Sequence, residues 1–169
     1  MEYKIRRKEK KDCYDIAHVI TVAWQETYKG IVNDDFLDNL PKTEEDRGKK
    51  SFNKFDENNN HQFVLEINGK VVGFIKVGIT EEQEYANQGE IFALYIIKKY
   101  KGNGFGRKLT EAGIDELKKL GCTKMIIGCL EKNPSNEYYK HIGGQLIKTR
   151  IFKISNQELL ENIYYYNSI

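Results

Sequence analysis

The sequence is short of residues that mark a special environment. It has three cysteines in 169 residues, Cys13, Cys122 and Cys129. They form no CxxC pair and stand at no metal-ligand spacing from the three histidines, so neither a metal centre nor a disulfide framework is expected. A sparse, odd set with no signal peptide ahead of it suits a reducing cytoplasm, where small buried thiols are the ordinary outcome. No apolar run approaches the ~20 residues of a membrane helix. An excess of one charge is also missing: 27 basic against 25 acidic residues leave +2. Neither nucleic acid nor a membrane surface is therefore the expected partner, and any anion site must rest on a local cluster. With two prolines, no repeat and no low-complexity tract, nothing marks a linker. One domain over residues 1–169 is expected, large enough to bury roughly 68–70% of its unfolded surface.

What is present is an ordinary globular composition, 40% hydrophobic and 31% charged. "YKIRR" (3–7) suits a first strand. In "DCYDIAHVITVAWQETYKG" (12–30), Ile16, Ile20, Trp24 and Tyr28 recur every four residues along one helical stripe, with Gly30 as its stop. "NDDFLDNL" (33–40) suggests a short capped helix and "KTEEDRGKKSFNKF" (42–55) another, exposed on one side. Two β-rich runs in 62–79 meet at Asn68-Gly69, a hairpin signal. "EIFALYIIK" (90–98) is apolar on both faces, as a central strand is. A helix over 106–121, with Leu109, Gly113, Leu117 and Leu120 on one stripe, and a buried strand over 124–130 follow. "NPSNEYYKHIGG" (133–144) carries Asn-Pro at a helix start and Gly-Gly at its stop. Two closing strands include the "YYY" of 164–166, expected at a sheet edge. The order predicts a mixed α/β fold.

The unusual stretch is "KKYKGNGFGRKL" (98–109), three alternate glycines among lysines and an arginine, between the central strand and a helix. Free N–H groups and the positive end of a helix dipole at such a corner suit a phosphate. Gly102, Gly104 and Gly106 let an anion approach the main chain closely. A tight turn with a solvated lysine fringe is the competing reading. Dinucleotide-type G-x-G-x-x-G needs glycine where Arg107 stands, and G-x-x-x-x-G-K-[ST] fails at the same residue.

"LYIIKKYKGNGFGRKLTEAG" resembles the acetyl-CoA motif of the GNAT superfamily of N-acetyltransferases, a strand, then Q/R-x-x-G-x-G/A, then a helix. Lys101 stands where Gln or Arg is usual, keeping the charge but losing the fork of donors. "NPSNEYYKHIGG" is similar to the family's later helix, although Gly144 stands where an aromatic residue is common. "WQETYKGIVNDDFLDNL" is similar to acceptor-side helices of small-molecule members. The likeness runs from about Tyr3 to the C-terminus. It implies the GNAT-like acyl-CoA N-acyltransferase fold, with a central, mostly antiparallel mixed sheet flanked by helices. It also implies acetyl-CoA as cosubstrate, and dimers occur among similar proteins.

Carried over residue by residue, the resemblance implies that Lys101, Gly102, Asn103, Gly104, Phe105, Gly106 and Arg107 hold the pyrophosphate. It implies too that the main chains of Tyr95 and Ile96 hydrogen-bond the pantetheine arm, with the Ile96 N–H facing the thioester carbonyl. Asn133 caps its helix and also bonds that arm. Tyr139 is the implied proton donor to the leaving thiolate, against the bland reading of a packed aromatic. Glu90, on the expected apolar face of Phe92, Leu94 and Ile96, accepts the amine proton, against that of a strand-end charge reaching solvent. Trp24 and Tyr28 line the acceptor side, where an aromatic and acidic wall with Glu26 suits a cationic amine, although each alone suits core packing. His18 and His141 stand isolated and read as structural.

The function expected is N-acetyl transfer to a primary amine of a small molecule (polyamine-, amino-acid- or aminoglycoside-like) by direct attack in a ternary complex. Its alternatives are a non-catalytic acyl-CoA-binding regulatory domain, against which Tyr139 and Glu90 argue, and acetylation of a protein N-terminus.

Overall fold

The computed structural model describes residues 2–169. Seven strands form one sheet: β1 (Tyr3–Arg7), β2 (Gln62–Ile67), β3 (Lys70–Ile79), β4 (Gly89–Ile96), β5 (Met125–Leu130), β6 (Gln145–Ile154) and β7 (Gln157–Tyr166). The helices are α1 (Cys13–Tyr28), α2 (Asp34–Asn53), α3 (Phe105–Lys119) and α4 (Ser135–His141). The strands lie in the order β1-β2-β3-β4-β5-β7-β6. Every neighbouring pair is antiparallel except β4 and β5. A mixed, mostly antiparallel sheet flanked by helices is the fold the sequence led us to expect.

Neighbouring residues of the central strands serve opposite faces. Leu65 and Ile75 pack with Leu109 and Leu117 of α3, while Val64 and Phe74 pack with Ile16 and Val19 of α1. The α3 stripe lies as its spacing predicts, and Gly113 brings the helix down onto β3. A Cβ there would stand 2.7 Å from Ile75 Cδ1 and 2.9 Å from Val77 Cγ1. The α1 seam keeps Ile16 and Tyr28 of the predicted stripe but runs through Val19 and Ala23, which are fully buried, whereas Ile20 and Trp24 are only half-buried. The β2–β3 hairpin turns at Asn68 (φ 48°) and Gly69 (φ 77°), the paired positive angles of a two-residue hairpin.

Three further expectations are corrected. The two short helices of 33–40 and 42–55 are one helix, α2, running through Pro41. Proline removes the N–H that would bond the Leu37 carbonyl, and Gln25 Nε2 donates to that carbonyl instead, at 3.1 Å. The "YYY" segment is not an edge: β7 lies between β5 and β6, and Tyr164 and Tyr166 are buried. Its reversal after β6 inserts it there, which no local pattern signals.

The third correction concerns Glu90. Lys76 pairs with Ala93 and Val77 with Ile91, which leaves Phe92 as an extra residue in β4. Such a bulge breaks the two-residue alternation. Ile91 therefore joins the α3-side core with Leu94 and Ile96, and Glu90 falls on the opposite face, with Ala93 and Tyr95.

Candidate active site

β4 and β5 run together only from Gly89–Ile91 against Met125–Ile127 and then part. A cleft of about 590 Å³ opens along the parted strands. It is lined by Tyr95 and Ile96 from β4, Cys129 from β5, the glycine turn, Tyr139 of α4, and Trp24 and Tyr28 of α1. On its other edge β4 pairs with β3. The register Gly73–Ile96, with the Ile97 N–H donating to the Val72 carbonyl at 3.0 Å, makes Tyr95–Phe74 a hydrogen-bonded pair. The amides of Leu94 and Ile96 consequently point into the cleft. Tyr95 meets the cleft with its ring, while its main chain belongs to the β3 ladder.

The turn lies at one end of the cleft. Gly102 (φ 81°) and Gly104 (φ 75°) adopt left-handed angles, and a Cβ at either would meet nothing within 4 Å. Backbone conformation, not crowding, demands glycine there. From Gly102 to Arg107 no main-chain N–H has an acceptor among the described residues, and α3 starts at Phe105. Lys101, Gly102, Gly104, Gly106 and Arg107 line the cleft. Asn103 and Phe105 do not: the Asn103 amide donates to the Tyr100 and Lys101 carbonyls, and Phe105 packs against Tyr3 at 5.0 Å between ring centres. Glu26, named above only for the acceptor wall, accepts from the Lys98 N–H at 2.7 Å and steadies the approach to the turn.

Tyr139 is buried, and its hydroxyl has no hydrogen-bond partner among the described residues. Burial, together with the neighbouring Cys129 and Tyr95, pushes its pKa well above the usual 10. Its carbonyl is held by Tyr166 Oη at 2.8 Å and the Gly144 N–H at 2.9 Å. Gly144 makes this possible: a Cβ there would lie 2.7 Å from Tyr166 Oη and 2.6 Å from the Tyr139 oxygen. The Tyr166 ring fills the space that a side chain at 144 would take.

Asn133 is fully engaged at both ends. Its Oδ1 accepts from the Ser135 N–H at 2.8 Å, and its Nδ2 donates to Tyr28 Oη at 3.1 Å. It thus ties the start of α4 to the end of α1. Tyr28 belongs to a ring cluster around Trp24, with centroids 4.6 Å from Tyr28, 5.9 Å from Phe36 and 6.3 Å from Tyr95. Burial raises the Tyr28 and Tyr95 hydroxyls as it does Tyr139.

Glu90 is half-buried and accepts from Thr80 Oγ1 at 2.7 Å. Burial, reinforced by the charges of Glu82 and Glu161, raises its pKa above 4.5. It is not part of the cleft wall itself. The Cys129 thiol is, but burial pushes it up to about 12, so it stays protonated and makes a poor nucleophile. Motif reasoning missed the groups that β5 to β7 bring to the cleft: Gly128, Cys129, Phe152 and Glu161. The one signal was Gly128, a lone glycine inside an apolar strand, which marks a close approach. Among the described residues no group of three or more His, Cys, Asp or Glu could hold a metal ion, and no helix is long and apolar enough to cross a membrane.

Comparison with known proteins places this geometry among others. The sequence model of the acetyltransferase (GNAT) family matches residues 24–143. The uncharacterised N-acetyltransferase YuaI of Bacillus subtilis is 29% identical over 159 residues, covering 93% of this chain and 88% of the relative. Among solved structures, the PaiA N-acetyltransferase of Thermoplasma acidophilum in complex with coenzyme A is 17% identical. It superposes with a TM-score of 0.67 over 98% of this chain and all of that one. An acetyltransferase structure from Salmonella typhimurium with its cofactor acetyl-CoA gives 0.68 at 19% identity, over 98% and 94% of the two chains.

Proposed function

Since this chain belongs to the acetyltransferase (GNAT) family and is an acetyl-CoA-dependent N-acyltransferase, we propose that it acetylates a small primary amine by direct attack in a ternary complex. The observation that carries the reading is the parting of β4 and β5 between a turn of unpaired amides and the buried Tyr139. The residues fit the cosubstrate. The free N–H groups of Gly102 to Arg107, at the positive end of α3 and beside Lys101, suit a diphosphate. The inward amides of Leu94 and Ile96 suit a chain laid along β4 as an extra strand.

Acetyl-CoA supplies an acyl group on a thiolate leaving group; the protein supplies donors, an acid and a base. The Ile96 N–H is a fixed donor for a carbonyl oxygen, and such donors commonly supply a few kcal/mol. Tyr139 holds a proton on a phenol that burial keeps neutral, and its unpartnered hydroxyl faces the cleft as a donor to a thiolate. Glu90 is the base: an alkylamine with pKa near ~10.4 arrives protonated and must lose a proton before it attacks. Because Glu90 stands behind the cleft wall, a water molecule carries that proton. Trp24 and Tyr28 shape the acceptor end, and Asn133 locks that wall to the helix carrying Tyr139. The reaction class suits a cytoplasmic protein, where acetyl-CoA is available.

Incubation with acetyl-CoA and a panel of primary amines, following release of free thiol, tests the reading. Amine-dependent thiol release with a mono-acetylated product is expected. Acetyl-CoA binding without any amine-dependent release would leave a binding domain in its place.

A further inference from the structure

A second carboxylate reaches the cleft from β7. Glu161 lies opposite Arg150 of β6 and Leu130 of β5. Its Oε2 accepts from Arg150 Nε at 2.7 Å, and Arg150 Nη1 also serves Glu82. Its Oε1 has no hydrogen-bond partner among the described residues. That oxygen occupies the space a side chain at Gly128 would fill: a Cβ there would collide with it and lie 2.9 Å from the carboxyl carbon. The wall of β5 is hollowed at one residue, and the hollow holds a carboxylate. Gly128 and Glu161 line the same cleft as Tyr139, and the Glu161 side chain is only 13% exposed.

Glu161 is thus anchored through one oxygen and open through the other. Glu82 and Glu161 both pair with Arg150, and Glu90 stands close enough to feel all three charges. A poorly hydrated carboxylate with a vacant acceptor favours a cationic partner and opposes an anionic one.

We propose that Glu161 determines acceptor specificity by receiving the amine as its ammonium. The cleft accordingly selects alkylamines without a neighbouring anion over α-amino acids, whose carboxylate meets the same charge. This inference rests on the small-amine reading above and names its substrate class. Glu161 binds the acceptor, and Glu90 keeps the role of base.

The test compares steady-state kinetics of the wild type, Glu161→Gln and Gly128→Ala. Simple alkylamines, diamines and α-amino acids serve as acceptors, and acetyl-CoA affinity is measured by calorimetry. The wild type should favour alkylamines and diamines over amino acids by about tenfold or more in kcat/KM. Glu161→Gln should raise the alkylamine KM by about tenfold, leave kcat within about threefold, preserve acetyl-CoA affinity and narrow the preference against amino acids. Gly128→Ala, which pushes the carboxylate from its hollow, should reproduce the KM change with Glu161 still present. Should that variant not fold, Glu161→Asp, which withdraws the charge from the cleft, takes its place. Unchanged KM in active, folded Glu161→Gln overturns the proposal, and so does a fall in kcat alone. A wild type that binds acetyl-CoA but acetylates no amine in the panel instead overturns the small-amine reading and this inference with it.

Discussion

Gln25 Nε2 donates to the Leu37 carbonyl at 3.1 Å, four residues ahead of a proline that cannot. One side chain of α1 thus replaces a backbone bond of α2 and joins the two helices beside Trp24.

The Gln25–Leu37 bond should be measurable as a coupling to Pro41. Gln25→Ala should cost about 1–3 kcal/mol, because it orphans a partly buried carbonyl. In a Pro41→Ala background residue 41 regains its N–H, so the same substitution should cost clearly less. Urea denaturation of the four proteins checks it; equal costs in both backgrounds would refute the exchange.

Gly144 and Tyr166 form a second pair in which one residue makes room for the other. Gly144→Ala places a methyl 2.6 Å from the Tyr139 oxygen and 2.7 Å from Tyr166 Oη. The nearer clash is with backbone, so the cost should reach about 1–3 kcal/mol, with a further loss of turnover as Tyr139 shifts. Tyr166→Phe removes only the hydrogen bond and should cost about 1 kcal/mol. Thermal melts and kcat on both variants decide whether crowding or the bond matters more.

The proposed acid and base should separate in pH profiles. A base acts once deprotonated, and Glu90 titrates above 4.5. The acid limb of kcat/KM should therefore lie above the ordinary glutamate range and disappear in Glu90→Gln. Tyr139→Phe should lower kcat by about 10²-fold or more while acetyl-CoA affinity stays the same. A Glu90→Gln profile that matches the wild type would remove Glu90 as base.

The glycine turn at one end of the cleft was legible because its elements are local. The strand, the glycine turn and the helix are consecutive, so "KGNGFGR" displays the left-handed positions of Gly102 and Gly104 directly. The other end was not. Glu161 reaches the cleft through the insertion of β7 beside β5, a pairing between segments 31 to 41 residues apart. Glu90 was named, but its face was misjudged because the bulge at Phe92 leaves no mark in the hydrophobic pattern. Pro41 misled for a related reason, since the partner that sustains α2 through it stands on another helix. Gly144 departs from the family pattern for a reason that lies on another strand, since Tyr166 of β7 takes up the space beside it.

Acid stability should be governed in part by one carboxylate far from the cleft. Glu116 of α3 accepts from Arg7 of β1 at 2.9 and 2.7 Å and meets His61 Nδ1 at 2.8 Å. The Arg7 hydrogen bonds, with help from His61, hold its pKa down to about 2. A carboxylate depressed on folding contributes stability that is complete above its unfolded value near 4.5. That contribution fades as pH falls from there to about 2. Because the Arg7 side chain is 43% exposed, solvent screening reduces the contribution to on the order of 2 kcal/mol. Glu116→Gln should lose that amount at pH 7 and show a flatter decline between pH 5 and pH 2 than the wild type. Denaturant midpoints across that window measure both effects. Parallel pH curves for the two proteins would show that the pair holds α3 to β1 without contributing to acid sensitivity.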